Sequence, residues 1–217
     1  MLFDFEGTLV DFQWKLSEAI EETLEMLWNM GFTKNLILSR KYSTLMTEAV
    51  QVATEIGLPP DQVREKICRV YDRYDEDALA RWALRSGVKD FLNTIKAKGI
   101  STGLVSNVGG KSIAKALSKL ALADYFDVVL SRNDVMNLKP NPEGLNLAIE
   151  KLGICKDRSI LLGDSLDDVN AARNAGIRIM IITDGENAKE DILAAQPDHV
   201  IQSYEELLKS YCMSISG

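Results

Sequence analysis

The chain has 217 residues, of which 46% are hydrophobic and 26% charged, a composition typical of a globular protein with one domain or a core plus a smaller module. The net charge of −7 argues against nucleic acid or an anionic membrane as the main partner. The 3 cysteines are scattered, which fits neither a disulfide framework nor a zinc site, and no apolar run reaches the ~18 residues that span a bilayer. We therefore expect a soluble, cytoplasmic protein.

The first predicted element is a short apolar strand, Met1–Phe5, and it is followed by a helical region. Within residues 13–86, apolar side chains recur at steps of three and four, which is typical of amphipathic helices. The three stripes are Leu16–Leu27, Leu38–Ile56 and Val63–Tyr74. We expect these helices to pack together as a small bundle.

From residue 87 onward, short apolar runs alternate with helical segments. The runs are Ile100–Ser106, Phe126–Leu130, Ile160–Gly163 and Ile177–Ile182, and the helical segments lie near 89–98, 110–121, 142–152 and 167–175. This alternation predicts βαβ units and a parallel sheet, so the fold class is α/β. The predicted core comprises residues 1–12 and 87–217, and residues 13–86 form a helical bundle inserted after the first strand. The segment after Leu208 has no clear pattern.

Polar side chains follow several of the predicted strands. Ligands of open parallel sheets bind beyond the carboxyl ends of the strands, so these side chains mark a candidate site. The residues at those ends are Asp4, Glu6, Thr8, Ser106, Asn107, Lys139, Asp164, Asp167 and Asp168. Carboxylates held together raise one another's pKa unless a cation joins them, and Mg²⁺ prefers such oxygen ligands. An aspartate can attack phosphorus to give an aspartyl-phosphate, while a metal, a lysine and hydroxyl groups neutralise charge.

Four sequence motifs occur in order along the chain. They are DFEGTL from Asp4, LVSN at 104–107, LKPNP at 138–142 and ILLGDSLDDVNAARNAG at 160–176. Together they resemble the motifs of the haloacid dehalogenase (HAD) superfamily, in its phosphoglycolate-phosphatase-like branch with a helical cap. The resemblance covers nearly the whole core, whereas the cap matches in position, length and helicity only. One motif alone is a weak signal, but four in order with a helical insertion between the first two are specific.

The resemblance implies a Rossmann-like three-layer core with a helical cap over 13–86, and a Mg²⁺-dependent phosphatase. The substrate would be a small phosphorylated metabolite, such as phosphoglycolate or a sugar phosphate, and the protein a monomer or homodimer. In the first motif, Asp4 would be the nucleophile and a metal ligand. Glu6 would bind Mg²⁺ through its backbone carbonyl and act as general acid–base. Thr8 would position the loop after Glu6 and belong to the phosphate-binding set.

The resemblance gives roles to the other motifs as well. Ser106 and the backbone N–H of Asn107 would bind the phosphoryl group, with Lys139 neutralising charge between that group and the nucleophile. Asp164 would bind the metal, and Asp168 would support the metal or orient Lys139. The neighbouring Asp167 is expected to be a helix-capping residue. The three tryptophans are expected to be packing residues. Among them, Trp14 lies nearest the hinge after Asp11 and has the best prospect of facing substrate.

One position departs from the family pattern, because Glu6 stands where the family normally has aspartate. The carbonyl role survives this change, but the carboxylate sits one methylene further out, and displacements of ~1 Å can cost roughly 10²-fold in rate. Three alternatives stay open: a phosphomutase, a dehalogenase, and a phosphate-binding protein of low turnover. The dehalogenases of this fold carry a bulky aromatic residue at this position and need no metal, so Glu6 favours phosphate chemistry.

Overall fold

The computed structural model describes residues 1–213, with side chains as far as Lys209. Within these residues a six-stranded sheet forms the core. Its strands are β1 (Leu2–Phe3), β2 (Gly103–Val105), β3 (Val128–Leu130), β4 (Ile160–Gly163), β5 (Arg178–Ile182) and β6 (His199–Ile201). The strand order is β3-β2-β1-β4-β5-β6, and every neighbouring pair is parallel. The predicted α/β class with a parallel sheet is therefore confirmed.

The first three helices after β1 are α1 (Leu16–Asn29), α2 (Tyr42–Glu55) and α3 (Pro60–Arg81). They pack on one another through buried apolar residues such as Leu24, Leu45 and Ile67. Pro60 occupies the first turn of α3, where the missing N–H costs no hydrogen bond.

The helix predicted from Leu38 begins later than expected. Leu38 is 77% exposed and lies in the loop before α2. The loop is held in place because the backbone N–H groups of Leu38 and Ser39 both donate to the Glu48 carboxylate of α2. These N–H groups therefore have hydrogen-bond acceptors without a helical turn. The spacing of apolar residues does not predict such a contact.

The remaining helices cover both faces of the sheet. They are α4 (Val88–Ala97), α5 (Gly110–Lys119), α6 (Glu143–Leu152), α7 (Leu166–Ala175), α8 (Lys189–Ala194) and α9 (Tyr204–Met213). Leu2 packs on one face with Leu145 and Val169 of α6 and α7. Phe3 points to the other face and contacts Phe91 of α4 edge-on, with 6.3 Å between ring centroids. Consecutive residues of β1 therefore join the two helical layers through the sheet.

The end of the chain is more regular than its sequence pattern indicates. The structure adds β6, α8 and α9 to the predicted elements, and α9 continues to Met213, through most of the segment that showed no pattern. The last four residues of that segment, 214–217, lie outside the described residues. No helix among residues 1–213 combines the length and apolar character needed to cross a membrane.

Candidate active site

The predicted site residues meet at the carboxyl edge of the sheet. Asp4, Ser106 and Asp164 each come directly after one of three adjacent strands, β1, β2 and β4. A cavity at this edge is lined by Asp4, Glu6, Phe12, Tyr42, Ser106, Asn107, Val108, Lys139, Asp164, Ser165, Asp167, Asp168 and Glu186. The structure thus brings together every predicted site residue except Thr8, which is fully buried and does not line the cavity.

Lys139 lies between two carboxylates at the centre of the cavity. Its Nζ donates to Asp4 Oδ1 and to Asp168 Oδ1, each at 2.6 Å, and all three side chains are buried. Burial alone would lower the pKa of Lys139, but the charges of Asp168 and Asp4 raise it, so the ammonium persists at neutral pH. Burial raises the pKa of Asp4 to about 6, and the Lys139 charge limits that rise. Lys139 therefore keeps a buried carboxylate available as an anion.

Asp168 both orients Lys139 and caps the first turn of α7. Its Oδ2 accepts hydrogen bonds from Ser165 Oγ at 2.7 Å and from Ser165 N at 3.1 Å, and the Ser165 hydroxyl in turn accepts from Asp168 N. This reciprocal arrangement is a capping box, in which the acid stands three residues after the N-cap. The capping hydrogen bonds expected of Asp167 are made by Asp168. Asp167 is an acidic residue in the first turn of α7, and its Oδ2 accepts a 2.7 Å hydrogen bond from Ser43 Oγ of α2.

Asp164 is a deeply buried carboxylate of the site. Its Oδ1 accepts from Thr8 Oγ1 at 2.9 Å and its Oδ2 from Glu186 N at 2.7 Å. Gly7, at φ +79°, passes so close that a side chain there would collide with this carboxylate. Thr8 is therefore a partner of Asp164 and does not belong to the phosphate-binding set that the sequence analysis expected.

Three carboxylates form a group suited to a divalent cation. One oxygen from each of Asp4, Asp164 and Asp168 lies within 4.8 Å of the others. The pKa of Asp164 is raised well above its usual value, first by burial and then by the charges of Asp4 and Asp168. A hard cation with oxygen ligands, such as Mg²⁺, would relieve this repulsion, so the residues present fit that ion.

Glu6 is fixed by both segments that connect the core to α1–α3. Its Oε1 accepts hydrogen bonds from Gln13 N and from Trp82 Nε1, each at 2.8 Å. Gln13 precedes α1, and Trp82 follows α3. Burial raises the pKa of Glu6 to about 7, while these two hydrogen bonds hold it down. A carboxyl group that titrates near neutral pH is suited to general acid–base work.

The side chain of Asn107 holds the peptide group of Lys139. Asn107 Oδ1 accepts from Lys139 N at 3.0 Å, and Asn107 Nδ2 donates to Lys139 O at 3.2 Å and to Tyr42 OH at 2.9 Å. The family resemblance gave a role only to the backbone N–H of Asn107, so this side-chain role is a further finding. Ser106 lines the cavity, and its Oγ accepts a 3.3 Å hydrogen bond from Val108 N.

Arg132 joins the core to α3 and was not predicted. It is 1% exposed, and its Nη2 lies 2.6 Å from Asp75 Oδ2 and 2.5 Å from Asp72 Oδ1 of that helix. Its Nη1 donates to Asn107 O at 2.9 Å. The partners come from distant parts of the chain, so no local sequence signal indicates this contact.

Glu186 is a further carboxylate that the sequence analysis missed. Its pKa is raised to about 7, mainly by burial and then by the charges of Asp167, Asp168 and Asp4. Glu186 follows β5. Because ligands bind beyond the carboxyl ends of parallel strands, inspection of the residues after β5 would also have indicated Glu186.

Comparison with known proteins gives concordant matches. A family model described as haloacid dehalogenase-like hydrolase matches residues 1–182. A phosphoglycolate phosphatase from Shigella dysenteriae serotype 1 is 34% identical over 227 residues, covering 95% of this chain and 89% of that protein. The structure of a haloacid dehalogenase-like hydrolase from Bacteroides fragilis superposes with a TM-score of 0.70 at 26% identity, covering 95% of this chain and 97% of the other. For a predicted phosphoglycolate phosphatase from Haemophilus somnus 129pt, which is alike in fold, the TM-score is 0.68 at 23% identity, with coverage of 97% and 96%.

Proposed function

The chain belongs to the haloacid dehalogenase-like hydrolases and is a phosphatase of that family. We propose that it hydrolyses a small phosphorylated metabolite through an aspartyl-phosphate on Asp4 and that Mg²⁺ assists the reaction. The observation that carries this proposal is the placement of Lys139 Nζ at 2.6 Å from both Asp4 and Asp168, beside the carboxylate group. Phosphoglycolate and sugar phosphates are the candidate substrates. Residues 13–86 would form the cap over the site. The protein would be cytoplasmic, since the free Cys68 and Cys155 fit a reducing compartment.

The metal would be held by the carboxylates of Asp4 and Asp164 and by the backbone carbonyl of Glu6. Asp168 would support it from a position fixed by Ser165 and Lys139. Bound there, Mg²⁺ would supply charge neutralisation at the phosphoryl oxygens.

The reaction needs two displacements at phosphorus. In the first, a carboxylate oxygen of Asp4 forms a bond to phosphorus while the bond to the leaving oxygen breaks, and Glu6 gives its proton to that oxygen. In the second, Glu6 takes a proton from water, which attacks the aspartyl-phosphate and releases inorganic phosphate and Asp4. Lys139 and the Ser106 hydroxyl hold the phosphoryl group during both displacements.

The test is hydrolysis of p-nitrophenyl phosphate by wild type and by Asp4→Asn. We expect the variant to lose about a thousandfold or more in kcat, because it lacks the nucleophile. Asp157→Asn removes the same charge at an exposed turn and serves as the control. Excess EDTA should abolish wild-type turnover, and added Mg²⁺ should restore it. Undiminished hydrolysis by a folded Asp4→Asn protein would refute the proposal.

A further inference from the structure

The catalytic cavity extends towards α2 and α3, and we take this extension as the side on which the leaving group of a phosphate ester lies. This extension shares Glu6, Phe12, Tyr42, Asn107, Val108 and Glu186 with the catalytic cavity and adds Trp14, Asp75 and Arg132 to the lining. We call this extension the leaving-group cavity. Three of its lining residues are aromatic, and three are carboxylic acids.

The cations around this cavity already have anionic partners. Lys139 is paired with Asp4 and Asp168. Arg132 borders the extension; its Nη2 is paired with Asp75 and Asp72, while its Nε has no hydrogen-bond partner among the described residues. Neither the catalytic cavity nor its extension is lined, among the described residues, by any further lysine or arginine. The positive charge of each cation here is therefore already balanced by carboxylates.

Glu186 is held firmly at the wall of the cavity. Its backbone N–H donates to Asp164 Oδ2 at 2.7 Å, and the Oδ1 of the next residue, Asn187, accepts from Leu166 N at 2.8 Å. No residue that the structure describes donates a hydrogen bond to the Glu186 carboxylate. The carboxylate therefore has unused acceptor capacity beside the place of the leaving group.

Trp14 provides a hydrogen-bond donor without a partner. The residue is only 8% exposed, and its Nε1 has no hydrogen-bond partner within the described part of the chain. Leaving a buried N–H unsatisfied costs about 1–3 kcal/mol. Trp14 lines the extension, so an acceptor supplied by a bound ligand would offset this cost. A hydroxyl group can satisfy both residues, because it accepts through its oxygen and donates through its hydrogen.

We propose that Glu186 is a specificity-determining residue that selects phosphate esters with a neutral, hydroxyl-bearing leaving group and disfavours those with a carboxylate. A leaving-group hydroxyl donates to Glu186, and a hydroxyl oxygen accepts from Trp14 Nε1. The aromatic walls contact the C–H faces of the same group. This inference rests on the proposed phosphatase function and narrows its substrate class.

The test compares two phosphate esters of nearly equal size, hydroxyethyl phosphate (the monophosphate of ethylene glycol) and phosphoglycolate. Hydroxyethyl phosphate carries a hydroxymethyl group where phosphoglycolate carries a carboxylate. The readout is the ratio of their kcat/KM values, from release of inorganic phosphate. We expect wild type to favour hydroxyethyl phosphate by about tenfold or more, and Glu186→Gln to reduce the ratio by about tenfold, chiefly through a lower KM for phosphoglycolate, because a like charge is removed. Glu190→Gln removes a charge at an exposed position of α8 and should leave the ratio unchanged.

A second variant, Trp14→Phe, keeps an aromatic ring and removes the N–H. We expect it to raise KM for hydroxyethyl phosphate about fivefold to tenfold, the loss of one hydrogen bond, and to reduce the ratio. A wild-type preference for phosphoglycolate, or a ratio that Glu186→Gln does not change, overturns the inference. Hydrolysis of p-nitrophenyl phosphate distinguishes a failure of this inference from a failure of the proposed function. If the wild type does not hydrolyse that ester, the phosphatase function itself is refuted.

Discussion

Trp82 Nε1 donates a 2.8 Å hydrogen bond to Glu6 Oε1, and this bond ties the candidate acid–base to the segment by which the chain returns from α3 to the core. The indole is buried and also packs edge-on against Phe5, with 5.0 Å between ring centroids. Gln13 N, on the outgoing segment, donates to the same oxygen. A movement of α1–α3 relative to the core would therefore act on the Glu6 carboxyl group as well as on access to the cavity.

Trp82→Phe should move the pH dependence of turnover. Burial raises the pKa of Glu6 to about 7, and the Trp82 hydrogen bond lowers it, so removing that bond raises the pKa further. We expect the limb of the kcat–pH profile that depends on Glu6, measured at saturating Mg²⁺, to shift to higher pH by about half a unit to one unit. A pKa shift of this size corresponds to the free energy of about one hydrogen bond. Trp28→Phe, which removes an indole with no hydrogen-bond partner among the described residues, is the control. A shift to lower pH would contradict this account.

Glu6→Asp tests whether glutamate is suited to this site. The shorter side chain cannot keep its carboxylate within reach of both Gln13 N and Trp82 Nε1, so it leaves a buried N–H unsatisfied and displaces the proton donor. We expect kcat to fall by roughly tenfold to a hundredfold. Glu6→Gln keeps the length but cannot transfer the proton, and should lose more. A faster Glu6→Asp enzyme would instead show that the native glutamate restrains catalysis.

Asn107→Ala should impair turnover by loosening Lys139. The variant removes both hydrogen bonds to the Lys139 peptide group, so the ammonium is no longer held at 2.6 Å from Asp4. We expect kcat to fall by about tenfold to a hundredfold. The matched control is Asn93→Ala at an exposed position of α4. Equal kcat values for the two variants, with the protein folded, would rule out this positioning role.

Arg132→Met should destabilise the protein, because Asp75 would remain buried without its cation. Removing one partner of a buried ion pair costs about 3–5 kcal/mol in free energy of unfolding. Asp72→Asn breaks a contact to the same guanidinium, but the Asp72 side chain is 53% exposed, so the loss should stay below about 1 kcal/mol. Urea denaturation of the two variants measures the difference, and similar losses would contradict the structural assignment.

The sequence predicted those site residues that directly follow a strand or lie in a recognised motif. Asp4, Ser106 and Asp164 could be predicted because strand direction alone brings the ends of β1, β2 and β4 together. Tyr42 lies within the apolar stripe Leu38–Ile56, and apolar periodicity marks burial in a helix without distinguishing a helix–helix contact from the wall of a cavity. That its hydroxyl accepts from Asn107 Nδ2 becomes visible only when α2 is placed over the sheet.

Contacts between distant segments escaped prediction for a related reason. Arg132 and Asp75 are each ordinary charged residues in the sequence, and only the packing of α3 on the loop after β3 buries them together. Glu186 follows a predicted strand, but no motif includes it. The residues proposed to select the substrate are thus those that the family pattern describes least.

The position of β1 in the middle of the sheet has a consequence for folding. Leu2 and Phe3 pair with Gly103 and Leu104 on one side and with Leu161 and Leu162 on the other, so β1 has no strand partner near it in the chain. Contacts between such distant segments form slowly, since a long loop must close before they are gained. Asp4 can therefore reach its working position only after both halves of the sheet have assembled around it. During refolding, recovery of phosphatase activity should accordingly lag behind the helical signal of α1–α3, whose contacts with one another are local.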